Sequence, residues 1–200
     1  MDIAKKSVLI VDDESSNVLA LAHILSSGYA IYAAGNGEDA IKAAEKYMPD
    51  IILLDVIMPN MDGYDVIAAL RASEKTRNIP VIFITGLSNS IDEEKGLISG
   101  GADYICKPFS PAIVKLRLRN QIKIREREME AEAANKAKHA LINEIRTPMG
   151  AILETAEAIL KDAGVDSRVK EGLEKICASG GALLGIINDA GKERNPDEKP

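Results

Sequence analysis

The sequence predicts a doubly wound α/β domain built on a five-stranded parallel sheet, followed by an all-α helical hairpin. Three observations carry that expectation. Short runs of Val, Ile and Leu alternate with amphipathic stretches from residue 7 to near residue 108. Near-continuous apolar strands of this kind belong to parallel sheets covered on both faces. From Ala112 to Thr147 no glycine or proline occurs and charges crowd in, and beyond that point two apolar stripes recur at helical spacing.

The strand candidates are SVLIV (7–11), YAIYAA (29–34), DIILLD (50–55), PVIFIT (80–85) and ADYIC (102–106). Helical patterns lie near 15–27, 37–47, 63–72 and 89–99, with another helix starting around Ser110. Five such βα units form an open domain whose ligands belong at the carboxyl ends of the strands, near the topological switch point. The stretch KLRLRNQIKIREREMEAEAANKAK reads as one long exposed helix leaving that domain. Its apolar seam is weak, so a linker helix or loose coiled coil fits better than a core helix. Leu141, Ile145, Met149, Ile152, Ala156 and Ile159 then recur at steps of three and four. KDAGVDS supplies a turn with Asp166 or Ser167 as N-cap. Val169, Leu173, Ile176, Gly180, Leu183 and Ile187 form the second stripe. Two amphipathic helices cannot enclose a core alone, whereas two hairpins make a four-helix bundle, so a homodimer is expected. The expected divisions are a first domain at 1–122, a helical linker at 123–138, the hairpin at 139–190 and a polar tail at 191–200.

Composition narrows the function. The chain has 200 residues, 46% hydrophobic and 28% charged, which is ordinary for a globular protein with room for a core. A net charge of −6 argues against a nucleic-acid binder, which would carry a basic stripe. No apolar run approaches the length that spans a bilayer, and the stretch after MDIAKK meets Asp12 too soon for a signal peptide. Cys106 and Cys177 make no metal-ligand spacing and are expected to be reduced thiols. A soluble, cytoplasmic protein without a membrane segment is expected.

The chemistry gathers at strand ends. Asp12 and Asp13 follow the first strand and Asp55 ends the third. These strands are neighbours in an open parallel sheet, so their carboxylates converge above one edge. Clustered carboxylates repel, and a hard divalent cation with oxygen ligands, Mg²⁺, resolves the repulsion. Thr85 ends the fourth strand with a hydroxyl, and Lys107 follows the fifth with a mobile cation, Pro108 fixing the turn behind it. Together these groups suit phosphoryl transfer, each binding an equatorial oxygen while Asp55 attacks in line. Ile57 and Leu87 flank the site and are expected to hinder an attacking water. Met58 and Met61 read as loop packing, and His23 as a surface residue.

At VDDE, LLDVIMPNMDG, ITG and YICKPF the chain resembles the receiver domains of two-component response regulators, over residues 5 to 120. That resemblance implies a flavodoxin-like strand order 2-1-3-4-5. It implies Asp55 as phosphoacceptor, Asp12 and Asp13 as Mg²⁺ ligands together with the Ile57 backbone carbonyl, and Lys107 as the phosphate-binding cation. Thr85 and Tyr104 would be the switch pair. The donor it implies is a phosphohistidine on a sensor histidine kinase or a histidine-phosphotransfer protein, whose imidazole has room to approach beside Gly86.

NEIRTPMGAI (143–152) and ASGGALLGIINDA (178–190) resemble the dimerisation and histidine-phosphotransfer hairpin of sensor histidine kinases. That family's box begins with a histidine, and here Asn143 holds the position. An amide has no nucleophilic lone pair comparable to an imidazole nitrogen, so the acceptor is absent. Glu144, Arg146, Thr147 and Pro148 remain, with a kink expected at the proline. His139, one turn earlier on the same face, is a weaker alternative acceptor and reads as a solvent-facing residue. No ATP-binding domain follows before Pro200, so no ATP-dependent kinase activity is expected. The leading expectation is a phosphorelay protein that accepts phosphate on Asp55 and signals through a dimeric bundle that cannot be phosphorylated. One alternative is phosphatase or phosphotransfer activity on partner receivers, through Thr147 with Glu144 or through His139. Another is a fragment of a hybrid kinase, excised or mutated.

Overall fold

The structure, a computed structural model, describes residues 5–86, 100–161, 164 and 166–191. The helix expected over 89–99, Leu87 and the tail from residue 192 lie outside the described residues. The elements run β1 (Ser7–Val11), α1 (Ser15–Leu25), β2 (Ala30–Ala34), α2 (Gly37–Tyr47), β3 (Ile51–Asp55), α3 (Gly63–Ala72), β4 (Val81–Thr85), β5 (Asp103–Cys106), α4 (Pro111–Leu160) and α5 (Ser167–Gly191). Contacts divide the chain into two units, Met1–Arg127 and Glu128–Pro200.

In the first unit the five strands pair in parallel in the order β2-β1-β3-β4-β5, as expected. Alternation along the strands divides the core in two. Leu9, Val11, Ile52, Leu54, Val81 and Phe83 pack on one face with residues of α2 and α3. Val8, Ile10, Ile51, Leu53, Ile82 and Ile84 pack on the other, against Leu21 and Leu25 of α1 and Val114, Leu118 and Ile122 of α4. Each fully buried branched side chain contributes roughly 1.5–3 kcal/mol.

The starts of α2 and α3 follow side-chain capping. Asn36 accepts from the Asp39 N–H ahead of α2, and Asp62 and Asp65 form a reciprocal capping box ahead of α3. Four of the strands begin one residue later than the apolar runs suggest, and Asp50 shows one reason. Its side chain turns aside to accept the Ser7 N–H at 2.8 Å, the Ser7 hydroxyl at 3.0 Å and the Lys6 ammonium at 3.2 Å. Burial raises the Asp50 pKa, but the Ser7 and Lys6 bonds outweigh it and hold the carboxyl below its ordinary value. Its contribution to stability is therefore present above the unfolded carboxylate value and lost as pH falls through the folded one. Asp50→Ala is expected to cost about 1–2 kcal/mol at neutral pH. The urea midpoint gap from wild type should close in acid, and a gap that persists there would refute the account.

In the second unit, α4 runs through Pro148 as one helix to Leu160. The helical stripe expected from Leu141 to Ile159 is thus continuous across the proline. Asp166 is the N-cap of α5, its carboxylate accepting the Arg168 N–H at 2.8 Å and its carbonyl the Lys170 N–H at 2.9 Å. The two helices pack closely at Gly180, where an added Cβ would lie 2.6 Å from a Leu153 methyl. Ala156 is buried, but Ile152, Ile159, Val169, Ile176 and Leu183 stay exposed. An apolar cavity of about 350 Å³ opens between Ile152, Ile159, Leu173 and Ile176. Cys106 and Cys177 are free thiols. Among the described residues no helix is long and apolar enough to cross a membrane.

Candidate functional site

Strand register assembles the site. β1 and β3 align Val11 with Leu54, so the next residues, Asp12 and Asp55, reach the same level at the carboxyl edge. Asp55 pairs with Ile84, and Thr85 with Cys106, which brings Thr85 and Lys107 to that edge as well. Carboxylate oxygens of Asp12, Asp13 and Asp55 lie within 4.8 Å of one another. Asp12, Asp55 and Thr85 are buried while Asp13 faces solvent.

Lys107 clamps the cluster. Its ammonium lies 3.0 Å from Asp12 Oδ2 and 2.8 Å from Asp55 Oδ2, and its backbone N–H donates to the Thr85 carbonyl at 2.7 Å. The peptide to Pro108 is cis. The other oxygen of Asp12 accepts the Glu14 N–H at 2.9 Å and an Asn17 amide hydrogen, N···O 3.1 Å. The Ile57 backbone N–H donates to the Asp55 carboxylate. Behind Asp55, Gly63 donates its N–H to the Val56 carbonyl at 2.9 Å. A Cβ on Gly63 would come 2.5 Å from the Asp55 carbonyl oxygen and 3.0 Å from the Val56 Cα, so the strand end and the start of α3 meet with room for a glycine alone.

The electrostatics are asymmetric because one cation serves two carboxylates. Burial pushes the Asp55 carboxyl above its ordinary range, and the Lys107 bond and charge offset this in part. Burial lowers the Lys107 pKa, yet its bonds to Asp55 and Asp12 outweigh this and hold the ammonium above its ordinary value. Lys107 is thus fully charged at neutral pH, and Asp55 gives up its proton less readily than a free carboxyl would. Three hard oxygen donors with one open side fit a small divalent cation that keeps several waters.

The remaining expected residues fall around this centre or in the other unit. Tyr104 is half-buried, packed against the cluster that holds Phe83, with the Arg117 guanidinium 5.4 Å from its ring centre. Arg117 also pairs with Asp103 at 2.6 Å. Ile57 is 58% exposed, whereas Met58 is buried in the core and Met61 packs against it. His23 is exposed. In the second unit Asn143, Glu144, Arg146, Thr147 and Pro148 are exposed on α4, while His139 is half-buried, not the solvent-facing residue expected. Arg146 donates to Asn143 Oδ1 at 3.2 Å and to Asn188 Oδ1 at 2.8 Å, and Thr147 donates its hydroxyl to the Asn143 carbonyl at 3.2 Å.

Sequence reasoning passed over Asn17, Gly63, Arg117 and Asn188. The Asp-Gly step in LLDVIMPNMDG marks Gly63, but nothing local marks the others.

A family model described as the response regulator receiver domain matches residues 8–141, more than half of the chain. Histidine kinase P4 of Formosa agariphila is 37% identical over 70% of this chain and 10% of its own length. The alkaline phosphatase synthesis transcriptional regulatory protein PhoP of Bacillus subtilis is 41% identical over 57% of this chain and 47% of its own. The chain spans between 27% and 51% of three other curated relatives. Among solved structures, the receiver domain of a sensor histidine kinase from Pseudomonas aeruginosa matches with TM-score 0.56 and 33% identity, covering 60% of this chain and 99% of that one; it is described with a magnesium ion coordinated in its active-site cleft. A response regulator from Chloroflexus aurantiacus matches with TM-score 0.57 and 30% identity, covering 60% and 98%.

Proposed function

From the premise that this chain belongs to the response regulator receiver domain family, we propose that it is a two-component signalling protein that takes a phosphoryl group onto Asp55. The observation that carries the reading is the Asp12–Asp13–Asp55 cluster clamped by Lys107. The donor is a phosphohistidine of a sensor histidine kinase or a histidine-phosphotransfer protein. The bond from phosphorus to imidazole nitrogen breaks as one to an Asp55 carboxylate oxygen forms, and the imidazole leaves after taking a proton from solvent. Asp12, Asp13 and Asp55, with the Ile57 carbonyl as a further ligand, hold Mg²⁺. When bound, the ion supplies positive charge beside the transferring oxygens. The magnesium described in the Pseudomonas aeruginosa receiver supports this assignment. Lys107 turns from the carboxylates to a phosphoryl oxygen, the Thr85 hydroxyl donates to another, and Tyr104 responds to Thr85 as the second half of the switch.

The hairpin serves as a dimeric scaffold. The exposed apolar seam of Ile152, Ile159, Ile176 and Leu183 supports a second copy packing there. Asn143 cannot accept phosphate, and the Thr147 hydroxyl donates into its own helix, which favours a scaffold over a phosphatase.

Acetyl phosphate with Mg²⁺ should label the wild type, while Asp55→Asn should take no label. Mass measurement at micromolar concentration should give a dimer for both. An unlabelled wild type sinks the receiver reading, and a monomer sinks the bundle.

A further inference from the structure

We infer that Asn17 is a positioning residue for the divalent-cation site, holding Asp12 so that a single carboxylate oxygen faces Asp55 and Lys107. The inference rests on the reading of the acidic cluster as a Mg²⁺ site. Asp12 Oδ1 accepts two hydrogens, from the Glu14 N–H at 2.9 Å and from the Asn17 amide at 3.1 Å. Those two donors fill the lone pairs of that oxygen. Oδ2 is left to meet the Lys107 ammonium at 3.0 Å and keeps a lone pair toward the cluster.

The terminal torsion of an aspartate is broad. Repulsion from Asp13 and Asp55, whose oxygens lie within 4.8 Å, favours turning the carboxylate away when the cation is lost. The Asn17 amide resists that turn. Its own orientation is fixed too, because the same nitrogen donates to Glu14 Oε2 at 3.1 Å. The reverse amide orientation would set an oxygen against two carboxylates. Asn17 is half-buried in the first turn of α1, where the Glu14 side chain makes no cap.

A structural role and a positioning role predict opposite things for Asn17→Ala. Alanine is the better helix former, so without metal the variant should melt at or above the wild-type temperature. Partners of metal ligands are worth about 10–100-fold in metal affinity. Calorimetric titration of the full chain with MgCl₂ should therefore show Kd rising about tenfold in Asn17→Ala. Equal affinity of Asn17→Ala and wild type would overturn the inference. So would a metal-free melting temperature that falls along with affinity. A wild type that binds no Mg²⁺ at all would instead remove the underlying reading of the acidic cluster.

Discussion

Gly63→Ala should lose about 3 kcal/mol of stability, because the new methyl meets backbone and not a side chain that can swing aside. The atoms in its way are the Asp55 carbonyl oxygen at 2.5 Å and the Val56 Cα at 3.0 Å. Relief requires α3 to back away from the end of β3, which carries Asp55 with it. Acetyl-phosphate labelling should therefore fall more than the folded fraction does. Denaturant unfolding and labelling measured on one preparation test this directly. Wild-type labelling per folded molecule would show that the close approach is a packing matter with no bearing on the acceptor.

The second large effect belongs to Lys107→Ala. Removing a preorganised charge from the path of developing negative charge typically costs about 10²–10³ in rate, and labelling of Asp55 should drop by that order. Stability should change in a pH-dependent way. With the ammonium gone, burial and the Asp12 charge remain, and both push the Asp55 carboxyl further above its ordinary value. A folded state that holds a proton more tightly than the unfolded chain loses stability as pH rises from the unfolded carboxylate value through the folded one. The variant should match wild type most closely in acid and fall behind toward neutrality. A urea midpoint difference that ignores pH would contradict this.

Much of the first unit was legible because its signals are local. Runs such as IILLD and VIFIT are too apolar for anything but buried strands, and each ends on a residue with a polar side chain at the site. The convergence of Asp12 with Asp55 needed one extra assumption, that the first and third strands are neighbours, and the sheet order supports it. Less legible were groups whose meaning is set at a distance. Asn17 looks like an indifferent helix residue until Asp12 is placed beside it, and Arg146 finds Asn188 across 42 positions of chain. Pro148 sits inside the helical stripe that the apolar spacing marked. The helix continues through it, with the Thr147 hydroxyl bonded one turn back. The switch assigned to Thr85 and Tyr104 rests on the family resemblance; Tyr104 itself shows a ring held between the core and Arg117.

The strand register has a consequence for how this protein can change over generations. Asp55 is the last residue of β3, one step beyond Leu54, whose side chain belongs to the opposite core face from that of Leu53. One residue inserted within β3 would shift every later side chain to the other face. The Asp55 carboxylate would then point into a hydrophobic layer and a leucine would stand among the acids. The same holds for Asp12 against β1. Connections on the far edge of the sheet can grow or shrink freely, but these two strands are read by counting, and for them an indel amounts to a frameshift of the chemistry.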